Sequence, residues 1–153
     1  VTDRNGTLFV GQPDPDNPGW NVWETSDPSR FNGAVIGRMI VRQEAERSVR
    51  LRMFPRHIHT NVSASLHGGV IMAFIDISLF ATVAVLGTGD AAASVTLEAN
   101  TQFIGAGAVD QPLDAVTEVL RETRRIVFLR GLVVQEGTVV ASFSAAVRKY
   151  TRP

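Results

Sequence analysis

Between residues 67 and 86 the apolar positions Val70, Ile71, Phe74, Ile75, Ile77 and Phe80 recur at helical spacing and, with the alanines and valines that follow, cover nearly every side. A helix apolar all round is a buried helix, and Gly87-Thr88-Gly89 closes it. Ahead of it the pattern is of β type over residues 35–41 and 48–53, with the charged stretch 42–47 expected as the turn and Pro55 ending the pair. Behind it four further β-type runs are expected over residues 92–103, 113–122, 125–134 and 138–148. They are separated by Gly105-Ala106-Gly107, by Arg124 and by Glu136-Gly137. Short successive connections imply an antiparallel sheet, and a single fully apolar helix needs that sheet wrapped around it. The expected class is α+β, with one long central helix.

Residues 1–33 interrupt this pattern. They are rich in Gly, Pro, Asp and Asn with Trp20, Trp23 and Phe31 interspersed, and read as an N-terminal arm, either extended or a short helix pinned by its aromatics, ahead of a domain over residues 34–153. The two tryptophans are expected to anchor that arm rather than to line a pocket. At 153 residues no second core is needed. Fifteen cationic residues balance fifteen acidic ones, and the arm holds only Arg4 and Arg30 as cations, so no nucleic-acid or anionic-membrane partner is expected. The absence of cysteine excludes a disulfide framework, a thiolate metal site and a cysteine nucleophile. The N-terminal residues lack the charged head and apolar stretch of a signal peptide. The apolar run at 70–86 carries a carboxylate at its middle, which would be costly in lipid. A cytoplasmic protein is expected.

That carboxylate is Asp76, the one charged residue between His67 and Gly89. Burying it costs several kcal/mol unless it is paired or protonated, so it faces a small polar pocket, meets a partner's arginine, or does chemistry. His67-Gly68-Gly69 marks the junction of loop and helix, where the first N–H groups have no intrahelical partner and the helix dipole adds positive charge. Two glycines let a substrate approach that backbone, as an oxyanion site requires, or merely permit a tight turn. Gly68 and Asp76 are eight residues apart, about 12 Å along one helix at ~1.5 Å per residue, whereas attack needs reacting atoms about 3–3.5 Å apart. If both act on one carbonyl, Gly68 of one subunit faces Asp76 of another.

Asn61, His67-Gly68-Gly69, Asp76 and Ser94-Val95-Thr96 together resemble the hotdog-fold acyl-CoA thioesterases of the phenylacetate-pathway (PaaI-like) family, from about Phe31 to Tyr150. The resemblance implies a hotdog fold and hydrolysis of an acyl-CoA to free acid and CoA. It casts Asp76 as nucleophile or general base and the Gly68 N–H as the group that polarises the thioester carbonyl. Asn61 then helps to place carbonyl or water, Ser94 hydrogen-bonds near the attacking water, and His67 braces the helix start. Gly69, Arg124, Arg125, Arg148 and Lys149 are the residues expected to hold coenzyme A, since arginine forks suit phosphate oxygens. No cofactor is expected beyond the CoA of the substrate. A homodimer is the minimum assembly, and a homotetramer, a dimer of dimers, the larger one expected.

Two departures from the family pattern stand out. Ala64 occupies a loop position where relatives commonly have glycine, so a differently shaped loop is expected, and the stretch 103–106 lacks an Arg-Pro pair. His57 and His59 form His-x-His without a nearby third ligand, so no metal is expected. Two alternatives stay open: a hotdog module that binds acyl-CoA without catalysis, and a hotdog enoyl-CoA hydratase or dehydratase.

Overall fold

A computed structural model describes residues 9–150; residues 1–8 of the arm and 151–153 of the domain lie outside the described residues. Nine strands and one long helix follow in the order β1 (Phe9–Val10), β2 (Asn21–Val22), β3 (Glu24–Thr25), β4 (Met39–Ala45), β5 (Ser48–Met53), α1 (Gly68–Val85), β6 (Val95–Phe103), β7 (Leu113–Glu122), β8 (Ile126–Gln135) and β9 (Thr138–Arg148). Seven strands form one antiparallel sheet in the order β2-β4-β5-β7-β8-β9-β6, and β1 pairs with β3 as a separate ribbon.

Alternation along the strands gives the sheet two different faces. Val41, Leu51, Ala115, Leu129 and Val147 are buried on the face that packs on α1. The opposite face carries the charges: Arg50 lies across from Val116 and donates to Asp114, as does Arg52. On the helix, Phe74, Ile75 and Leu79 are fully enclosed, each contributing about 1.5–3 kcal/mol by burial. Hydroxyls in this core are satisfied locally. Ser78 donates to the Ile75 carbonyl and Thr82 to that of Ser78, while Thr117 on β7 donates to the Ser78 hydroxyl. By length and composition α1 could cross a bilayer, but its apolarity here matches the sheet that wraps it.

The expected strand over 35–41 begins only at Met39. Residues Asn32–Ile36 form a π-helical turn, ended by Gly37 at φ 84° with its N–H on the Asn32 carbonyl. The charged stretch 42–47 is not all turn, because β4 runs on to Ala45. Arg42 and Glu44 point to the polar face, where Glu44 pairs with both Arg42 and Arg50, and charge there does not oppose a strand. The strand expected from residue 92 starts at Val95, since Asp90 folds the preceding residues into a turn by accepting the Ala92 and Ser94 N–H groups. The run expected over 125–134 is displaced by one residue at each end.

Within the described part of the arm, β2 adds an edge strand to β4. The guanidinium groups of Arg42 and Arg52 lie over the Trp20 ring, their Cζ atoms 4.6 and 4.7 Å from its centroid, and Trp23 is buried in the main core. Asp14, itself buried, accepts from Asn17, the Asp16 N–H and Arg38. Asn17 first, then that N–H and Arg38, hold its carboxyl below the ordinary value of 3.8.

Candidate active site

The loop-to-helix junction is built by His67. It is the N-cap of α1 in extended conformation, and its ring Nδ1 accepts the Gly69 N–H at 2.9 Å. A Cβ on Gly69 would come within 3.0 Å of that nitrogen, so glycine there serves the cap, and its amide is already engaged. The His67 carbonyl takes the N–H groups of Val70 and Ile71. Among the described residues none accepts the Gly68 N–H, which leaves it as the open donor of the first turn. No acidic residue lies in that turn to compete for the positive end of the dipole.

Asp76 lies two turns further along the same partly open stripe of α1, after the exposed Met72 and before the half-buried Phe80. Its Oδ1 accepts the Thr96 hydroxyl at 2.6 Å. Thr96 is on β6, paired with Val147, and reaches across the helix-facing side of the sheet. Ser94, which the resemblance put beside the attacking water, is buried and donates to the Asp90 carbonyl at 2.6 Å. The hydroxyl found on the carboxylate is thus Thr96, two residues later. Phe74 and Leu79 belong to the core and line no opening, whereas Phe80 borders the stripe.

Asn61 occupies a tight loop in which its Oδ1 accepts the Ser63 and Ser65 N–H groups at 2.9 and 3.2 Å; its amide nitrogen remains to donate. Ala64 adopts φ 59°, the left-handed region that glycine enters without penalty. The glycine-to-alanine departure therefore leaves the turn left-handed, at a local cost of about 1–2 kcal/mol. His59 of the His-x-His pair is committed to the backbone. The ring nitrogens of His59 are engaged with the Arg56 N–H and the Val35 carbonyl, and among the described residues no cluster of three or more His, Cys, Asp or Glu has metal-holding geometry.

β6 is an edge strand of nine residues, mostly exposed, with Val95, Leu97 and Phe103 each about half exposed or more. Phe103 approaches within 3.4 Å of where a Gly68 Cβ would be. One side of this strand, the open stripe of α1, Gly68 and Asp76 thus share a surface, but on one helix the last two remain about 12 Å apart.

The cations expected to hold coenzyme A gather at one corner. Arg148 lies opposite both Val95 and Ile126, and the Lys149 N–H donates to the Arg125 carbonyl. Arg124, Arg125 and Arg148 are exposed. Lys149 is committed elsewhere: its ammonium pairs with Glu122, and its stem covers Gly89. A groove of about 610 Å³ opens between His57, Ile58, Thr60, Asn61, Val62 and His67. Another of about 840 Å³ lies on the far face of the sheet between Arg50, Glu118, Arg130 and Leu132, away from Asp76.

The sequence matches the thioesterase superfamily over residues 64–142, just over half of the chain, a span that holds His67, Gly68, Asp76 and Thr96. No curated protein matches it. Among solved structures it is similar to zebrafish thioesterase superfamily member 2, with a TM-score of 0.71 and 20% identity over 82% of this chain and 90% of that one. It is similar to a hypothetical thioesterase of Streptococcus pneumoniae with coenzyme A, at 0.69 and 18% over 78% and 91%. The PaaI protein of the E. coli phenylacetic acid degradation operon gives 0.66 and 17% over 80% and 86%. These likenesses are of fold, and together with the family match they lead to one conclusion: the chain belongs to the thioesterase superfamily and has the hotdog fold of PaaI.

Proposed function

We propose that the protein hydrolyses acyl-CoA thioesters at a site completed by two copies of the chain. The observation that carries this reading is the pair of groups on α1: a Gly68 N–H without an acceptor at the positive helix end, and an Asp76 carboxylate held from one side by Thr96. The thioester oxygen accepts the Gly68 N–H of one protomer, which stabilises the charge that develops on it. From the opposite side Asp76 of the other protomer either takes a proton from the attacking water or attacks directly. By donating to Oδ1, Thr96 leaves Oδ2 as the reacting oxygen. The Asn61 amide lies in the loop ahead of Gly68, where it can donate to carbonyl or water.

The exposed edge of β6 supports a dimer of this geometry. An exposed nine-residue edge with apolar Val95, Leu97 and Phe103 is a liability unless paired, and a second β6 laid against it brings the two open helix stripes toward each other. The apolar residues Leu120, Phe128 and Leu132 on the far side of the sheet offer a second surface for a dimer of dimers. Arg124, Arg125 and Arg148 are near enough to the start of β6 to receive the CoA phosphates, and the groove beside Asn61 and His67 suits its pantetheine arm. Two further structures of the streptococcal protein carry alanine for an aspartate and for a threonine, the same two residue types as Asp76 and Thr96. A packed rather than lipid-facing α1 is consistent with a cytoplasmic enzyme.

Thiol release from aromatic, medium-chain and long-chain acyl-CoAs tests the reading. Turnover of at least one, lost in Asp76→Asn with the fold retained, is the expected result. Retained turnover in that variant would contradict it, and binding without release in the unaltered protein would leave an acyl-CoA-binding module.

A further inference from the structure

We infer that His59 and Gln135 are positioning residues for the Gly68 amide, clamping the strand of chain ahead of it from two sides without touching substrate; this rests on the thioesterase reading above. His59 is fully buried. Its Nδ1 accepts the Arg56 N–H at 2.9 Å and its Nε2 meets the Val35 carbonyl at 2.6 Å. An amide N–H can only donate and a carbonyl only accept, so the ring is neutral with its proton on Nε2. The ring thereby ties the 3-10 turn His57–His59 to the π-helical turn Asn32–Ile36, which is distant in sequence. From this fixed point the His59 carbonyl accepts the His67 N–H at 2.8 Å, and the small ladder continues through Thr60 with Leu66 and Asn61 with Ser65.

The other side is held by Gln135, only 5% exposed. Its Oε1 accepts the Ala108 N–H at 2.7 Å, and its Nε2 donates to the carbonyls of Ala108 and Gln111 at 2.8 and 3.1 Å. A side chain that pairs with the backbone in both directions fixes that loop much as a neighbouring strand would. The Gly107 carbonyl, next to this clamp, accepts the Leu66 N–H at 2.8 Å. A Cβ on Gly107 would lie 2.9 Å from Leu66 Cδ1, so loop and Leu66 are in direct contact. The N–H groups of Leu66 and His67, the two residues before Gly68, are thus each held by one backbone hydrogen bond, and behind each bond stands one buried, fully engaged polar side chain. A donor that acts on a developing oxyanion must be in place before the reaction, and a displacement of about 1 Å can cost about 100-fold in rate.

The test compares His59→Leu, His59→Gln and Gln135→Leu with the unaltered protein by two readouts. One is kcat and KM for the acyl-CoA that the protein turns over fastest; the other is the ¹H–¹⁵N resonance of the Gly68 amide. The two leucine variants should lose about 10–100-fold in kcat with KM within about twofold, and the Gly68 resonance should move. His59→Gln, which keeps one donor and one acceptor, should recover most of both. Folded variants with kcat within about twofold of the parent and an unmoved Gly68 resonance would overturn the proposal, even where the melting temperature falls. If His59→Leu does not fold, His59→Gln and Gln135→Leu carry the same comparison. A protein that releases no thiol from any acyl-CoA would sink the thioesterase reading, and the Gly68 resonance would still decide the positioning role.

Discussion

At the level of single side chains, the reaction proposed above couples Asp76 to Thr96 through one hydrogen bond. A hydrogen bond to a charged group is worth about 1.5–3 kcal/mol, so Thr96→Val should lower kcat about 10–100-fold while leaving KM near its parent value. Thr96→Ser should restore most of the loss, and a kcat within about twofold of the parent in the valine variant would count against orientation of the carboxylate. Asp76→Asn should cost about 10²–10⁴-fold, the range of a general base. Ser94→Ala, by contrast, removes a bond to the Asp90 carbonyl and should lower stability more than turnover; steady-state kinetics beside a melting curve separate the two. Ala64 offers a test of backbone strain. At φ 59° it pays the left-handed penalty, and Ala64→Gly should raise stability by roughly 0.5 kcal/mol, the relief of about 1–2 kcal/mol being partly offset by the added freedom of the unfolded chain.

The elements divide into those that the chain announces and those that tertiary contacts decide. Helix α1 was legible because its apolar positions cover all sides, and β5, β7 and β9 fall at their expected bounds because β5 alternates cleanly and turn residues at Arg124 and at Glu136-Gly137 bound the other two. The π-helical turn at Asn32–Ile36 was not legible: Val35 and Ile36 are β-branched and read as a strand, but Ile36 is drawn into the core and Gly37 turns the chain at positive φ. Asp76 and Gly68 could be found from a lone carboxylate in an apolar helix and from glycines at its start. Thr96 could not, because the turn held by Asp90 takes Ser94 out of the strand and leaves Thr96 as the hydroxyl on the helix-facing side. The arm is tied down by electrostatics that titrate. Asp14 has its carboxyl held below 3.8 by Asn17, the Asp16 N–H and Arg38. Its ionised contacts therefore stabilise the fold above the unfolded value, and that stability is lost as pH falls from 3.8 through the lower folded value. Asp14→Ala should thus be less stable than the parent at neutral pH, with the gap in melting temperature closing in strong acid. A gap that persists unchanged there would show that the carboxylate charge is not its source.

At the scale of the whole molecule, one fact of helix geometry governs the account: two groups eight residues apart on α1 are about 12 Å apart and cannot serve one carbonyl from within one chain. The exposed edge of β6 and the open stripe of Met72 and Asp76 leave room for a second copy to supply the missing half. Subunit complementation tests this most directly. Gly68→Pro removes the open N–H at the first helical position, where proline is well tolerated, and His67 before it is already extended. Each dimer of Gly68→Pro, and each of Asp76→Asn, should be inactive. Co-expressed in equal amounts, half of the dimers are mixed, and each mixed dimer has one intact site of two, so about a quarter of the parent activity should return. A co-expressed sample as inactive as its two parents would contradict the account, because it would mean that amide and carboxylate act within one chain.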